Sequence, residues 1–335
     1  MGSVDTWVGY WGRLRPGRAA VAAGGCAVTW GALADRSGRL AAGLAAEGAG
    51  RGRRIGVRSR DPIRVIEVIA ACARLGAVAV PLDPARDQDR LRRIVARAGL
   101  FALLTSDDQV SGEEKGAAAA AAGMDEPLLL LHSRGTTGEP KAAVLTHGNV
   151  EAVAVAAIAA DGLVPADRVG IDLGLAATPA GLAATLGALH AGALIRFGDP
   201  AELLGDDDRP TVLVTTCEQL GRPGVLERLG GGGTRGPRLV KAPGPVAGAV
   251  RGECRTRAIP FVEMYGLAET GGLILQASPF LAADGLRPLL GQRARVAGGE
   301  LVVAGSAVSG GGWLRTGDLA VEGQDGSLTI VGRRA

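Results

Sequence analysis

"LLHSRGTTGEPKAAVLTH", residues 130–147, sets a run of leucines against a turn of glycine, hydroxyl groups and lysine. A strand buried on both faces reads as an unbroken apolar run, and "PLLLLHS" (127–133) is one. The turn that follows exposes backbone N–H groups in a concave arrangement suited to phosphate oxygens. Thr136 and Thr137 add hydroxyl donors, Lys141 adds a mobile ammonium, and Gly135 and Gly138 let the backbone approach an anion without a Cβ in the way. The GxxxxGK[ST] phosphate loop is not satisfied, because Pro140 precedes the lysine and Ala142 follows it. Taken alone, the stretch is either a phosphate cradle or a glycine hairpin with an incidental lysine.

Outward from this stretch, short β-rich runs alternate with helical patterns. "RRIGVRS" (53–59) reads as a strand, and "PIRVIEVIAACARLG" (62–76) as a helix with Pro62 where a missing N–H costs nothing. Strands follow at "AVAVPLDP" (77–84) and "LFALLTS" (100–106), and beyond the loop "HGNVEAVAVAAIAADGL" (147–163) reads as a helix. "TVLVTT" (211–216), "PRLVKA" (237–242) and "IPFVEMY" (259–265) are further strands. Apolar strands separated by helices imply mostly parallel sheets covered on both faces, an α/β fold. The last fifty residues carry short strands with glycine turns and no helix, which predicts a small β-rich subdomain. Residues 107–116, 229–237 and 309–313 are loop-like, and there is no internal repeat.

The 335 residues exceed the usual size of a single domain, so one large or two medium domains are expected. The apolar fraction of 47% with only 3% aromatics demands a core of alanine, valine and leucine, with helices packed closely on sheets. A net charge of +3 argues for neither nucleic acid nor a membrane surface. Cys26, Cys72, Cys217 and Cys254 are scattered with no CxxC pair, which favours a reducing cytoplasm over a disulfide framework or zinc site. No signal peptide is visible in the first twenty residues. The uncharged stretch 173–195 is long enough to span a bilayer, but its proline, glycines and alanines read better as a buried helix and a strand.

"SRGTTGEPKAAVLTH" resembles the phosphate loop of the adenylate-forming superfamily: acyl-CoA synthetases, nonribosomal peptide synthetase adenylation domains and luciferases. Residues 28–57 and "ARLGAVAVPLDP" (73–84) resemble its N-terminal motifs. "EMYGLAETG" (263–271) resembles its YGxTE motif, "GGELVVAG" (298–305) its GELxxxG strand, and residues 312–334 its TGD-to-GR segment. The resemblance covers roughly residues 10–334 in family order. It implies an AMP-binding large domain over 1–335, divided at about 10–165 (with the loop 133–141), 166–285 and a β-rich 286–335. Two mostly parallel sheets layered with helices are expected.

The same resemblance implies the site. Ser133, Thr136, Thr137 and Lys141, with Gly135 and Gly138, would wrap the β- and γ-phosphates of ATP. Glu269 would hold Mg²⁺, Tyr265 with Gly266 would stack on adenine, and Asp318 would accept from the ribose hydroxyls, with Arg333 reaching the same sugar. Lys141 and Glu269 form the implied catalytic set, to which Arg134, a departure from the family pattern, is added as a candidate. A substrate carboxylate attacks the α-phosphate, giving acyl-adenylate and pyrophosphate, and the acyl group then passes to a carrier-protein thiol, CoA or an amine.

Five departures stand out. Arg134 replaces serine, either adding a bidentate phosphate contact or turning outward. Ala268 replaces the threonine of YGxTE. "GLAAT" (174–178) replaces the acyl-pocket motif LPLFH, with Asp172 nearby as a candidate partner for an ammonium group. "KAPGPVAG" (241–248) replaces the loop beside adenine, and "SAVSGGG" (306–312) directly bridges strands that other members separate further. The small C-terminal lid with its lysine is expected to be absent. Two readings follow: an ATP- and Mg²⁺-dependent adenylating enzyme acting on a small carboxylic or amino acid, alone or with a partner supplying the lid, or a degenerate relative serving as a nucleotide-binding scaffold. The alanine, glycine and arginine bias is that of a high-GC gene and fits secondary metabolism.

Overall fold

The computed structural model describes residues 2–105, 122–132, 142–176, 178–205, 208–230, 236–278 and 285–334. Among these the strands form two sheets. The smaller runs Ala102–Thr105, Arg54–Arg58, Val78–Pro81, Pro127–His132, Ala142–Thr146 in spatial order. Its first four strands are parallel and the last pair is antiparallel, with His132 opposite Ala142. Residues 133–141 therefore connect the two arms of a hairpin.

The larger sheet begins at the hairpin Ala19–Ala23/Cys26–Thr29 and continues in parallel through Leu194–Phe197, Arg168–Ile171, Val212–Val214, Leu239–Pro243 and Phe261–Tyr265. Beyond Tyr265 it turns antiparallel through Leu275–Ala277, Leu286–Pro288, Leu328–Arg333, Trp313–Glu322, Glu300–Gly305 and Gln292–Ala297. The β-rich C-terminal residues are thus a continuation of this sheet, joined to it where Leu286 lies opposite Leu328.

The helix Pro62–Leu75 has Pro62 in its first turn, Asp61 accepting from Ile63 N–H as the cap, and Gly76 in a left-handed conformation at its end. Nearly all of its side chains are buried, in one apolar core shared with the N-terminal helices, both sheets and helices His147–Asp161 and Pro179–Ala191. Small residues let those last two helices approach closely. A Cβ at Gly187 would lie 2.8 Å from the Cβ of Ala157. Pro179–Ala191 and the strand Leu194–Phe197 account for the long uncharged stretch, and no helix among the described residues is long and apolar enough to cross a membrane. On the far face of the smaller sheet, Leu91, Ile94 and Ala98 of helix Gln88–Ala98 pack on Val78, Val80 and Leu130 in a separate cluster.

Candidate active site

Ligands of open α/β sheets bind beyond the carboxyl ends of the strands, and here a cavity of about 510 Å³ opens beyond Leu239–Pro243 and Phe261–Tyr265. Pro243, Gly244 and Pro245 form one wall, Tyr265 and Gly266 another, and Asp318, Ile330 and Arg333 come from the antiparallel extension. Tyr265, Gly266, Asp318 and Arg333, picked from two distant motifs, therefore line one space.

Tyr265 Oη donates to Asp318 Oδ2 at 2.5 Å. Burial, and then this bond to a carboxylate, push the phenol far above its ordinary pKa, so it stays a donor. Arg333 stands opposite Asp318 in the strand register, with Nε 3.8 Å from Asp318 Oδ1. Glu300, the acid of the GELxxxG strand, lies behind this turn and accepts from Gly317 N–H at 3.0 Å while pairing with Arg315 and Arg334. The Gly317 N–H and the arginines hold its carboxyl below the usual range. At the wall, a Cβ on Gly244 would fall 2.0 Å from Glu263 Oε1, so the Glu263 carboxylate packs directly on the backbone there.

Glu269 sits on the 3₁₀ turn Ala268–Thr270 that follows the cavity-lining Gly266 and Leu267. A Cβ on Gly271 would lie 2.7 Å from Val153 and 3.5 Å from Leu145, which places the turn against the strand Ala142–Thr146 and the helix after it. Ser309 ties the same place together: its N–H donates to Glu269 O at 2.8 Å and its hydroxyl to Val144 O at 2.6 Å. The Glu269 carboxylate is half-buried and has no partner among the described residues, a state suited to a hard cation completed by phosphate oxygens and water. Ser133, Arg134, Gly135, Thr136, Thr137, Gly138 and Lys141 lie outside the described residues, as does Ala177. The strand they lead into is the one against which Glu269 is held.

A second cavity, about 490 Å³, opens beyond Arg168–Ile171 and Leu194–Phe197, lined by Asp172, Leu175, Ala176 and Arg60 among others. Thr215 Oγ1 donates to Asp172 Oδ2 at 2.9 Å, while Oδ1 is buried without a partner among the described residues. Burial pushes the Asp172 carboxyl up to about 6.

Lys241, read from sequence both as part of the strand "PRLVKA" and as the start of the altered loop beside adenine, is buried in the strand Leu239–Pro243. It donates to both oxygens of Asp161 at 2.8 and 2.6 Å, and Gln276 Nε2 adds a third bond at 3.1 Å. A lysine inside a strand apolar on both faces was the available signal.

With this geometry in hand, the profile of the family described as "AMP-binding enzyme" matches residues 10–313. The chain is 27% identical to feruloyl-CoA synthase of an Amycolatopsis species, over 96% of this chain and 76% of that one. It is 26% identical to 2-succinylbenzoate–CoA ligase of Bacillus cereus, over all of this chain and 79% of that one. That alignment extends over 395 residues against 335 here, so the relative carries internal residues this chain lacks. Among solved structures, o-succinylbenzoate CoA synthetase of Bacillus subtilis, bound with a product analogue, superposes with a TM-score of 0.85 at 25% identity, covering 98% of this chain and 78% of that one. The fold is that of the AMP-forming ligases. The chain belongs to the AMP-binding enzyme family of the adenylate-forming superfamily.

Proposed function

We propose that this protein adenylates a small carboxylic acid with ATP and Mg²⁺ and passes the acyl group to a thiol, with an amine as the other candidate acceptor. The observation that carries this reading is the convergence of Tyr265, Asp318 and Arg333 on one cavity, with Glu269 on the next turn beside the loop strand. In the first step a carboxylate oxygen forms a bond to the α-phosphorus, the bond from that phosphorus to the bridging oxygen of the β-phosphate breaks, and pyrophosphate leaves with the electron pair. Lys141 and the loop hydroxyls neutralise charge on the leaving phosphates, and Glu269 would hold Mg²⁺, which supplies further neutralisation. The Asp318 oxygen not taken by Tyr265, Oδ1, would accept from the ribose hydroxyls beside Arg333. Catalysis in this design is chiefly positioning and electrostatics.

The acid's body is assigned to the cavity that holds Asp172, because Leu175 and Ala176 of the altered pocket motif line it. That the named relatives are CoA ligases supports a thiol acceptor, CoA or a carrier-protein arm. The test is pyrophosphate release by the purified chain with ATP, Mg²⁺ and a panel of carboxylic and amino acids. Acid-dependent release is expected, falling at least ~100-fold in Lys141→Ala and Glu269→Ala. Release that is unchanged in both variants refutes the reading.

A further inference from the structure

The strand Gln292–Ala297 closes the larger sheet at its C-terminal end and, among the described residues, pairs on one side only, with Glu300–Gly305. Its register runs from Gln292 to Ala297 without a bulge. Half of the N–H and C=O groups of such a strand point away from its neighbour and stay open to another chain. We propose that this edge, with Arg293, Arg295 and Trp313 beside it, takes up an extended acidic segment of a partner protein as an added strand.

Alternation along the strand sorts its side chains. Ala294 and Val296 pack inward on the apolar cluster of the antiparallel extension, while Arg293 and Arg295 stand exposed on the outer face. The register builds two rows on that face: Arg293, Ala304 and Trp313 in one, Arg295, Val302 and Arg315 in the next. Both edge guanidiniums lie over the Trp313 ring, 5.5 and 4.4 Å from its centre. Arg315 is paired with Glu300, whereas neither Arg293 nor Arg295 has a carboxylate partner among the described residues. Stacking on the indole restricts both arginine side chains and leaves their N–H forks free, so less entropy is lost when an acid binds.

The open backbone selects a polypeptide, because alternating N–H and C=O groups are met in full only by another strand. The two arginines select its sequence. An added strand presents every second side chain to one face, about 7 Å apart, so acids two positions apart meet both guanidiniums. A second copy of this chain, paired edge to edge about a two-fold axis normal to the sheet, would set Arg293 and Arg295 against the same two arginines, and like charges directly opposite destabilise such a pair. The same repulsion turns away basic strands, so the charges that guard the edge also choose what it admits.

The experiment titrates the full chain, by calorimetry, with the peptide acetyl-Thr-Glu-Val-Glu-Val-Thr-amide, its lysine-for-glutamate counterpart and hexathymidylate. The acidic peptide is expected to bind at least about tenfold more tightly than the basic one. Arg293 and Arg295 are exposed, so Arg293→Glu/Arg295→Glu should keep the parent's thermal unfolding and reverse that order, with Arg293→Gln/Arg295→Gln abolishing the preference. Methylating the four central amide nitrogens of the acidic peptide removes its backbone donors and should abolish binding. Survival of binding after methylation shows that charge alone holds the peptide and overturns the added strand. An unchanged preference in Arg293→Glu/Arg295→Glu places the peptide elsewhere, and hexathymidylate binding as tightly as the acidic peptide assigns the face to any polyanion. Self-association of the chain that the acidic peptide displaces gives the edge to a second copy. Each of these three results also overturns the proposal.

Discussion

Asp172 shows how one buried carboxyl reports on its cavity. Its folded pKa lies above the ordinary carboxyl value, so between about pH 4 and 6 the native state holds a proton that the unfolded chain has lost. Stability contributed at this position therefore falls as pH rises through that window, by at most about 3 kcal/mol. Asp172→Asn, which keeps the shape and one acceptor, should remove this slope. Chemical denaturation of parent and variant at pH 4 and pH 7 checks it; equal pH dependence in the two would remove Asp172 as the cause. If the acid of the first step carries a donor that reaches this carboxyl, the same substitution raises KM more than it changes kcat.

At the scale of elements, the buried pair Lys241–Asp161 pins the strand Leu239–Pro243 to the end of helix His147–Asp161. Removing one partner leaves the other buried and uncompensated, which typically costs about 3–5 kcal/mol, whereas replacing both with apolar groups restores much of the loss. Lys241→Met should thus lower the unfolding free energy strongly and Lys241→Met/Asp161→Leu much less. Additive effects in that double-mutant cycle would contradict the pairing. This cluster also marks the limit of reading elements from sequence. The strands and helices near the site were legible because two-face burial writes a strand as an apolar run and a cap writes a helix start. Partners were not, since nothing in "PRLVKA" says which acid its lysine meets eighty residues away. The hairpin Ala19–Ala23/Cys26–Thr29 was missed although Gly24-Gly25, both with positive φ, is a strong two-residue turn signal. Two motifs far apart in the sequence carry Tyr265 and Asp318, and the structure brings them to one cavity beyond the ends of Leu239–Pro243 and Phe261–Tyr265, where open sheets bind their ligands.

Across the whole molecule, the antiparallel extension is held over the site by a short connector. Asn149 caps its helix with Thr146 and also donates from Nδ2 to Ser306 O at 2.7 Å and Val308 O at 3.3 Å, while Ser309 bonds Val144. These few bonds join the segment bearing Asp318 to the strand Ala142–Thr146 and the helix that follows it. Asn149→Ala and Ser309→Ala should each cost about 1 kcal/mol. Both should speed amide exchange in Glu300–Gly305 and Trp313–Glu322 while leaving Arg54–Arg58 protected. Equal acceleration in all three strands would show that the connector has no special hold on the extension.

The edge of the larger sheet carries a different consequence. Val21 lies opposite Ile195, about 170 positions later in the chain, and the Ala19–Ala23 hairpin pairs with no other strand of that sheet. At synthesis rates of about 5–20 residues per second, the hairpin waits roughly 10 to 35 s on the ribosome before its partner exists. During that interval an apolar ribbon with an open edge is exposed, the state that edge-to-edge self-association exploits. The larger sheet is completed at its N-terminal edge only after the hairpin Pro127–His132/Ala142–Thr146 has been made, so the order of synthesis and the order of assembly run in opposite directions at that edge.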